Sequence, residues 1–268
     1  YERLHMDLIG PMSTVTSNGD RIAITTNGGN RYALIIVDEL TSFNHIYLLK
    51  QKSDAKTEIM NLIKLIKRQH NISVKGIHSD RGGEFLNGIL KEYFSSEGII
   101  HTTSPAERQH LNSKAEATNK TLVNTSRCHL IASGAPVQLW GDSLLTAGFI
   151  RNRTALKRLN GMSPHEMIYK TKPNLKRLRV WGANAFVYIP KSQRGKFDQI
   201  KQSGMFIGYS DEQYAYRILL TNGNIIITRD VTIIEDSFSN MNSYIYGDSN
   251  DIPMTSFKNS RSIISFNS

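Results

Sequence analysis

The hydrophobic residues in the first half of the chain fall into short runs that alternate with amphipathic segments. Five runs are rich in β-branched and aromatic residues and are bounded by polar turn residues, as is typical of strands. They cover Tyr1–Ile9, Arg31–Asp38, Asn44–Leu49, Val74–His78 and Ile99–Thr103. The second and third runs predict an antiparallel hairpin, whereas the polar, Gly-, Thr- and Asn-rich residues 10–30 predict a long loop.

Four segments between and after these strands predict helices. In the first, Ile59, Leu62, Ile63 and Ile66 recur at the spacing of one helix face, and Ser53 or Asp54 can cap its start. The other three cover Asn87–Ser96, Asn112–Ser133 and Val137–Thr154. This order of elements predicts an α/β fold in which helices pack on a mixed sheet.

The pattern changes after Pro173 to short β segments separated by turn residues such as Asn222–Gly223. These segments predict a small all-β, barrel-like module over residues 174–236. Its predicted strands are Leu178–Trp181, Ala185–Ile189, Gly204–Tyr209, Tyr214–Leu220, Asn224–Thr228 and Val231–Ile234. Ser and Asn dominate residues 237–268, which predict a polar linker or a disordered tail.

The charge is distributed very unevenly along the chain. The 268 residues carry a net charge of +10, and residues 151–201 contain 13 Lys and Arg against only 2 Asp and Glu. A block of this kind suits a polyanion, most often nucleic acid. A solvated basic face and a patch for anionic membranes are the alternatives.

The cysteine content and the hydropathy exclude several classes of protein. Cys128 is the single cysteine, which excludes an internal disulfide and any zinc site that needs two thiolates from this chain. A reducing compartment, the cytosol or the nucleus, is therefore expected. No apolar run approaches the roughly 18 residues that span a bilayer, and no secretory signal opens the chain, so no membrane partner is expected.

Three acidic residues stand out by their positions in the predicted elements. Asp7 lies in the first strand, Asp80 follows the fourth strand, and Glu116 lies in the first turns of the long helix, with 35 residues between Asp80 and Glu116. Strand ends and a helix start can bring such residues to one edge of a sheet. Three close carboxylates stay ionised only if a cation neutralises them, and hard oxygen ligands select Mg²⁺ or Mn²⁺.

The segments around these residues resemble the integrase of copia-type long-terminal-repeat retrotransposons, the group that contains the yeast Ty elements. The resemblance covers roughly residues 1–236 in eight ordered blocks. They are DLIGP (7–11), IIVDELTSFNHIYLLKQKS (35–53), HSDRGGEF (78–85), AEATNKTL (115–122), LW (139–140), GMSPHEMIYKTKPNLKRLRVWG (161–182), GMFIGYS (204–210) and ITRDVTI (227–233).

The resemblance implies a ribonuclease-H-like catalytic core over residues 1–173, with a mixed five-stranded sheet and flanking helices. Asp7, Asp80 and Glu116 would be its catalytic and metal-binding triad, holding two Mg²⁺ ions. The activity implied is 3′-end processing of element DNA and its joining to target DNA. The resemblance also implies a homo-oligomer, a longer Pol polyprotein as the source of the chain, and a location in cytoplasmic virus-like particles and the nucleus.

Two other functions stay open. The segment before the catalytic helix reads SPAERQHLNSKAEA, with Leu111 and Ser113 where family members usually have Gln and Gly, and Ala117 where they usually have Arg. This divergence is compatible with a non-catalytic DNA-binding remnant of a decayed or co-opted element. A metal-dependent nuclease on the same fold, such as a ribonuclease H, is the third hypothesis, although the basic stretch and the β module argue against it.

Seven polar residues are candidate DNA contacts. Glu116, Lys120 and Arg127 share one helix face because eleven residues close nearly three turns, so the two cations are expected to contact phosphates beside the triad. A solvated polar face is the alternative. Glu84 lies in the same block as Asp80 and is interpreted as structural. The full set of candidate contacts is Lys114, Asn119, Lys120, Arg127, Lys176, Arg177 and Arg179.

Overall fold

The computed structural model describes residues 1–15, 20–103, 113–210 and 213–238. The strands of its first part are β1 (Arg3–Ile9), β2 (Ser13–Val15), β3 (Arg21–Ala23), β4 (Tyr32–Asp38), β5 (Asn44–Leu49), β6 (Gly76–Ser79) and β7 (Ile100–Thr103). The helices are α1 (Ala55–His70), α2 (Gly88–Ser96), α3 (Ser113–Ser133), α4 (Trp140–Arg153) and α5 (Pro164–Tyr169).

Five of these strands form one mixed sheet with the order β5-β4-β1-β6-β7. The first three strands in this order pair antiparallel, and β1, β6 and β7 pair parallel. Strand β4 is the most apolar, and its side chains from Ala33 to Asp38 are all buried, because the sheet is covered on both faces. The predicted mixed five-stranded sheet with flanking helices is thereby confirmed.

The two faces of the sheet have separate hydrophobic cores. On one face Leu4, Met6 and Ile77 pack with the apolar stripe of α1, which includes Ile59 and Ile66. On the other face the alternate residues of β4 pack with helices α3 and α4; the buried members are Ala33, Ile35, Val37, Leu122, Trp140, Leu144 and Ala147. The functional residues described below lie on this second face.

The prediction of a long loop over residues 10–30 was wrong in part, because β2 and β3 form a small antiparallel sheet there. The backbone N–H of Met12 donates to the carbonyl of Arg31 (2.9 Å), and that of Ile24 donates to the carbonyl of Met12 (2.8 Å). Met12 and Ile24 also pack against the core of the second face. The few apolar side chains of this segment are Met12, Val15, Ile22, Ala23 and Ile24, and they give too weak an alternation to predict such short strands.

The second part of the chain is an antiparallel sheet with its own core. Its strands are β8 (Ala183–Tyr188), β9 (Lys201–Ser210), β10 (Ala215–Leu220), β11 (Ile225–Thr228) and β12 (Val231–Phe238), in the order β11-β10-β9-β8-β12. Ala185, Val187, Phe206 and Ile218 form its core. This confirms an all-β module, and among the described residues no hydrogen-bonded pairing joins β11 to β12 to close it.

One predicted strand of the module is absent. Leu178–Trp181 follows a 3₁₀ turn over Leu175–Arg177 and pairs with no strand among the described residues. Trp181 is buried, Leu178 is half-buried and Val180 is exposed. The segment is anchored by the side chain of Trp181 instead of by strand pairing. The last helix of the core ends at Tyr169, and β12 continues to Phe238, where the prediction had the tail begin at residue 237. The rest of the predicted tail lies outside the described residues.

The module is attached to the core chiefly through α4. Asp142 of α4 and Arg217 of β10 form an ion pair of 2.9 Å, with 14% and 31% of their side chains exposed. Two helical turns after Asp142, the ring of Phe149 stacks on Tyr209 of β9, with centroids 3.9 Å apart. A charged contact and an aromatic contact therefore fix the same helix against two neighbouring strands.

Trp181 completes this attachment. Its indole N–H donates to the carbonyl of Ile207 (2.9 Å), and its ring stacks on His129 of α3, with centroids 5.6 Å apart. A buried indole N–H without a hydrogen-bond partner would be costly, so this bond fixes the position of Leu178–Trp181 against β9. We call these contacts the core–module joint; its members are His129, Asp142 and Phe149 of the core and Trp181, Tyr209 and Arg217 of the second part.

Candidate active site

The pairing of β1 with β6 brings two of the predicted acidic residues level with each other. The strands are parallel, and His5 lies opposite His78. Continuing this register by two residues places Asp7 level with Asp80 along the strand direction, although β6 itself ends at Ser79. Since side chains alternate along a strand, Asp7 lies on the face opposite the buried Met6 and points towards α3.

Helix α3 supplies the partner that orients Asp7. The Asn119 amide donates a hydrogen bond from Nδ2 to Oδ2 of Asp7, and Asn119 is 5% exposed. Glu116 lies one turn earlier on the same helix face, because residues three apart are neighbours on a helix. The strand and the helix are thus coupled at the position where the sequence placed two of the three acidic residues.

Asp80 and Glu116 lie close enough to Asp7 for their charges to act on it. Burial raises the pKa of Asp7 above its ordinary value, and the charges of Asp80 and Glu116 raise it further, whereas the hydrogen bond from Asn119 opposes the shift. Repulsion of this kind is relieved when a cation binds between the carboxylates. The surroundings of Asp7 therefore disfavour its ionised form.

Asp80 and Glu116 differ from Asp7 in being exposed. Oδ1 of Asp80 accepts a hydrogen bond from the backbone N–H of Gly82 (3.0 Å), which holds the turn after β6. Glu116 lies in the first turn of α3, where a negative charge is favourable with the helix dipole. Two carboxylates thus remain open to solvent beside one that is partly buried.

The donor chemistry fits a hard divalent cation, but the described residues do not enclose a site for one. Carboxylate oxygens are the ligands that Mg²⁺ prefers, and Oδ1 of Asn119 beside Asp7 is buried without a hydrogen-bond partner among the described residues. Across the described parts of the chain, no three His, Cys, Asp or Glu side chains are grouped closely enough to hold an ion. The assignment of Asp7, Asp80 and Glu116 as metal ligands therefore stays a prediction.

The contacts of Glu84 agree with the structural role that the sequence predicted for it. Its side chain is 11% exposed and pairs with Lys52 at 3.8 Å. Its carboxyl carbon also lies against Gly82, where a Cβ would come within 2.7 Å of it. Glu84 thus orders the turn that carries Asp80.

The four candidate DNA contacts on α3 divide into two pairs. Lys120 and Arg127 are exposed, as the helix-face argument requires. Asn119, in contrast, is buried against Asp7, so its amide does not face solvent as a phosphate contact would. Lys114 is half-buried, and its burial together with the charge of Arg158 lowers its pKa to about 8.

The three candidates at the start of the second part are also unequal. The guanidinium of Arg177 lies over the ring of Tyr214, 4.4 Å from its centroid. Arg179 donates from Nη1 to the carbonyls of Lys176 (2.8 Å) and Leu178 (2.7 Å), and its backbone N–H donates to the hydroxyl of Tyr209. Arg177 and Arg179 therefore stabilise the approach to the module, and Lys176 is the exposed cation of the three.

Sequence reasoning missed the pairing of Asn119 with Asp7, which are 112 positions apart. A signal was present, since Asn119 follows Glu116 by three residues and so shares its helix face. It also missed His5, which is 8% exposed and lies between Glu39, at 3.7 Å, and the ring of His78. That proximity depends on the register of β1 and β6.

None of the described helices combines the length and the apolar character needed to cross a membrane.

Comparisons with known proteins identify relatives for most of the chain. Over 234 residues, 87% of its length, the chain is 32% identical to the retrovirus-related Pol polyprotein from transposon TNT 1-94 of Nicotiana tabacum. Over 229 residues, 85% of its length, it is 31% identical to the one from transposon RE1 of Arabidopsis thaliana. The aligned parts are 17% and 16% of those polyproteins, so the chain spans about a sixth of their length.

Two solved structures resemble the chain as a whole or its core. One is a chain of the simian T-cell lymphotropic virus intasome in complex with PP2A regulatory subunit B56 gamma, with a TM-score of 0.47 and 13% identity over 87% of this chain and 78% of that one. The other is the HTLV-2 integrase catalytic core domain in complex with magnesium, with a TM-score of 0.44 and 15% identity over 62% of this chain and 95% of that one.

The second part of the chain has a family match of its own. Residues 183–245 match the family model of the retroviral polymerase SH3-like domain, and this range begins at the first residue of β8. The resemblance to copia-type elements is confirmed, with relatives that come from plants. The chain is homologous to one segment of the retrovirus-related Pol polyproteins of copia-type transposons, and it includes their SH3-like domain.

Proposed function

We propose that the chain is an integrase core with its SH3-like module, which processes the 3′ ends of element DNA and joins them to target DNA. The reaction is a phosphoryl transfer in which a water, and then a terminal 3′-hydroxyl, is the attacking group. The observation that carries the proposal is the electrostatic coupling of Asp7 with Asp80 and Glu116. It is supported by the homology to Pol polyproteins.

Each residue has a defined part in this proposal. Asp7, Asp80 and Glu116 would hold a pair of divalent cations, Mg²⁺ or Mn²⁺, through their carboxylate oxygens. The chemistry that such cations supply when bound is activation of the attacking oxygen and stabilisation of the leaving 3′ oxygen. Asn119 keeps Asp7 aimed at the shared face of β1 and α3 by its hydrogen bond. Lys120 and Arg127, exposed along the same helix, would contact the phosphates of the bound DNA.

The proposal also covers partners and location. We infer that the chain acts as one segment of a longer Pol polyprotein, that it forms a homo-oligomer on DNA, and that it works in cytoplasmic virus-like particles and in the nucleus. The homology to polyproteins about six times as long supports the first of these inferences, since the aligned part is 17% of the tobacco relative.

A strand-transfer assay with Mn²⁺ tests the proposal directly. The 268-residue chain is mixed with a synthetic duplex that ends in the terminal sequence of the element and with a supercoiled plasmid, and joined product is measured. Asp80→Asn and Glu116→Gln should each reduce joining by about 10³-fold or more, because each removes a ligand oxygen charge from the reacting centre. Binding of the same duplex should change little.

Glu92→Gln is the matched control, since Glu92 is an exposed carboxylate on α2 away from the sheet face. Its joining rate should equal that of the unaltered chain. If either triad variant joined DNA at the normal rate, the active-site assignment would be wrong.

A DNA-binding protein without catalysis is the second candidate function. It is favoured by the lack of a closed ion-holding group among the described residues. The same assay separates the two candidates: the unaltered chain would then bind the duplex but give no joined product with Mn²⁺ or Mg²⁺.

A further inference from the structure

The loop between β8 and β9 is the most cationic ordered loop of the module. It runs from Tyr188 at the end of β8 to Lys201 at the start of β9, and these two residues are opposite each other in the sheet. Lys191, Arg194, Lys196 and Lys201 lie in or beside it, against one carboxylate, Asp198, so the segment carries a net charge of +3.

The base of this loop has a defined structure. The backbone N–H of Ile189 donates to the carbonyl of Ile200 (2.9 Å), which extends the pairing of the strands. The guanidinium of Arg194 donates from Nε to the carbonyl of Ile189 (3.1 Å) and lies 5.8 Å from the centre of the Tyr188 ring. One of the four cations therefore holds the loop in shape.

The tip of the loop is a tight turn that displays an aromatic ring. The backbone N–H of Asp198 donates to the carbonyl of Gly195 (3.3 Å), and Oδ2 of Asp198 accepts from the N–H of Gly195 (2.6 Å). Lys196 and Phe197 are thus the two central residues of the turn. Phe197 is fully exposed, at 102% of its reference area, although it is the largest apolar side chain of the loop.

The charges near the tip are not neutralised within the loop. The ion pairs of the described residues do not include Lys191 or Lys196. The one carboxylate, Asp198, is engaged with the backbone of Gly195. A polyanion would therefore meet two available ammonium groups in the loop that carries the exposed ring, Lys196 next to Phe197 and Lys191 at the start of the loop.

An exposed ring flanked by cations matches the chemistry of a nucleic-acid strand. Cations attract the phosphates, and an aromatic ring offers a flat face on which any base can stack, whatever its sequence. The other exposed large apolar side chains of the loop, Tyr188 and Ile200, lie at its base, whereas Phe197 stands at the tip between Lys196 and Asp198, so the tip itself is not the contiguous apolar patch that typifies protein interfaces. Charge complementarity therefore favours DNA as the occupant.

We propose that Phe197 stacks on an unpaired base of bound DNA while Lys191 and Lys196 contact the adjacent phosphates. The inference rests on the proposed function, because it takes DNA as the ligand, and it specifies which part of the module binds it. An unpaired base is the favoured partner because both of its faces are accessible. Insertion between paired bases would first require that they be unstacked.

Fluorescence anisotropy with three labelled DNAs tests this proposal. The probes are a single strand, the blunt duplex of the same sequence, and the duplex with a short single-stranded overhang. Phe197→Ala should weaken binding to the single strand and the overhang by about 5- to 150-fold, the range for loss of one base–aromatic stack. It should change blunt-duplex binding much less, and it should leave the salt dependence unaltered.

Three further variants separate stacking from charge. Phe197→Trp should retain binding, and the emission of the new indole should be quenched by the single strand. Lys196→Ala should weaken binding to all three DNAs alike and lower the salt slope by about 1. Lys64→Ala, an exposed cation on α1, is the control and should have no effect.

The outcomes decide the proposal. Equal affinity of Phe197→Ala and the unaltered chain for the overhang would overturn the stacking role, while DNA joining in the assay above would leave the proposed function intact. Loss of self-association in Phe197→Ala, with DNA binding preserved, would also overturn it and would assign Phe197 to contact with a second copy. No DNA binding and no joining by the unaltered chain would instead reject the proposed function itself.

Discussion

Charged side chains gather in two regions of this molecule, and the two regions are built in opposite ways. At the face of β1 and α3, burial and the charges of Asp80 and Glu116 raise the pKa of Asp7, and no cation of the described residues is paired with these carboxylates. At the core–module joint, Asp142 is paired with Arg217, and two helical turns further along α4 the ring of Phe149 stacks on Tyr209.

The first region thus has carboxylates without a cationic partner among the described residues, whereas the second is a contact in which the charges are paired. Charges of one sign that remain uncompensated make a folded protein less stable, and they persist where a ligand supplies the missing charge. The Asp142–Arg217 ion pair and the Phe149–Tyr209 stack fix the position of α4 relative to β9 and β10. Substitutions should therefore act on activity in the first region and on stability in the second.

The largest effect is expected at the ion pair of the joint. Arg217→Met would leave the carboxylate of Asp142 largely buried without its partner, and we expect the free energy of unfolding to fall by about 3 kcal/mol. Chemical denaturation followed by tryptophan fluorescence would measure it, because Trp181 lies in the joint. Arg229→Met, an exposed arginine of the same module, should cost much less; equal losses would contradict the distinction.

Acidification should also weaken the joint. Burial lowers the pKa of His129, which stacks on Trp181. The unfolded chain therefore binds a proton more readily than the folded one, so this contribution to stability is fully present above the ordinary pKa of 6.5 and is lost as the pH falls below it. His129→Phe keeps a stacked ring but cannot be protonated.

The pH effect is measured as a difference between two chains. Between pH 7.5 and 5, the unfolding midpoint should fall by roughly 2–4 °C more in the unaltered chain than in His129→Phe. The other histidines titrate in both chains, so they cancel from this difference. Parallel curves would show that His129 does not link the joint to pH.

The face of β1 and α3 should respond to pH with the opposite sign. The pKa of Asp7 is raised, so its ionised form costs stability, and that cost is absent at low pH and fully present above its folded-state pKa. Asp7→Asn should therefore stabilise the chain at pH 7 by up to about 1 kcal/mol while it abolishes joining. The stabilisation should vanish as the pH approaches the ordinary value of 3.8; a destabilised variant at pH 7 would refute the interpretation.

The smallest effect concerns the cations before the module. Lys176→Ala should lower the slope of log K against log salt by about 1, because it removes one phosphate contact. Arg177→Ala should instead lower stability, since the guanidinium lies over Tyr214. A change in salt slope for Arg177→Ala with unchanged stability would place it among the DNA contacts after all.

Local pattern was sufficient for most of the fold. The strands of the large sheet were predictable because each is a β-branched run with turn residues at its ends, and helix α1 because Ile59, Leu62 and Ile66 keep one face apolar. The short strands β2 and β3 were not predictable, since they depend on Met12 and Ile24 packing against a core formed by later residues. Leu178–Trp181 was mistaken for a strand because a segment anchored by side chains has the same hydrophobic composition.

The sequence alone determined the order of the elements, the positions of three acidic residues on them, and the concentration of positive charge in residues 151–201. Only the tertiary structure decided which of those charges are available to a ligand. Asn119 meets Asp7 across 112 positions, and Arg217 meets Asp142 across 75. Pairs so distant are brought together by packing, and packing depends on contacts that no local pattern of residues specifies.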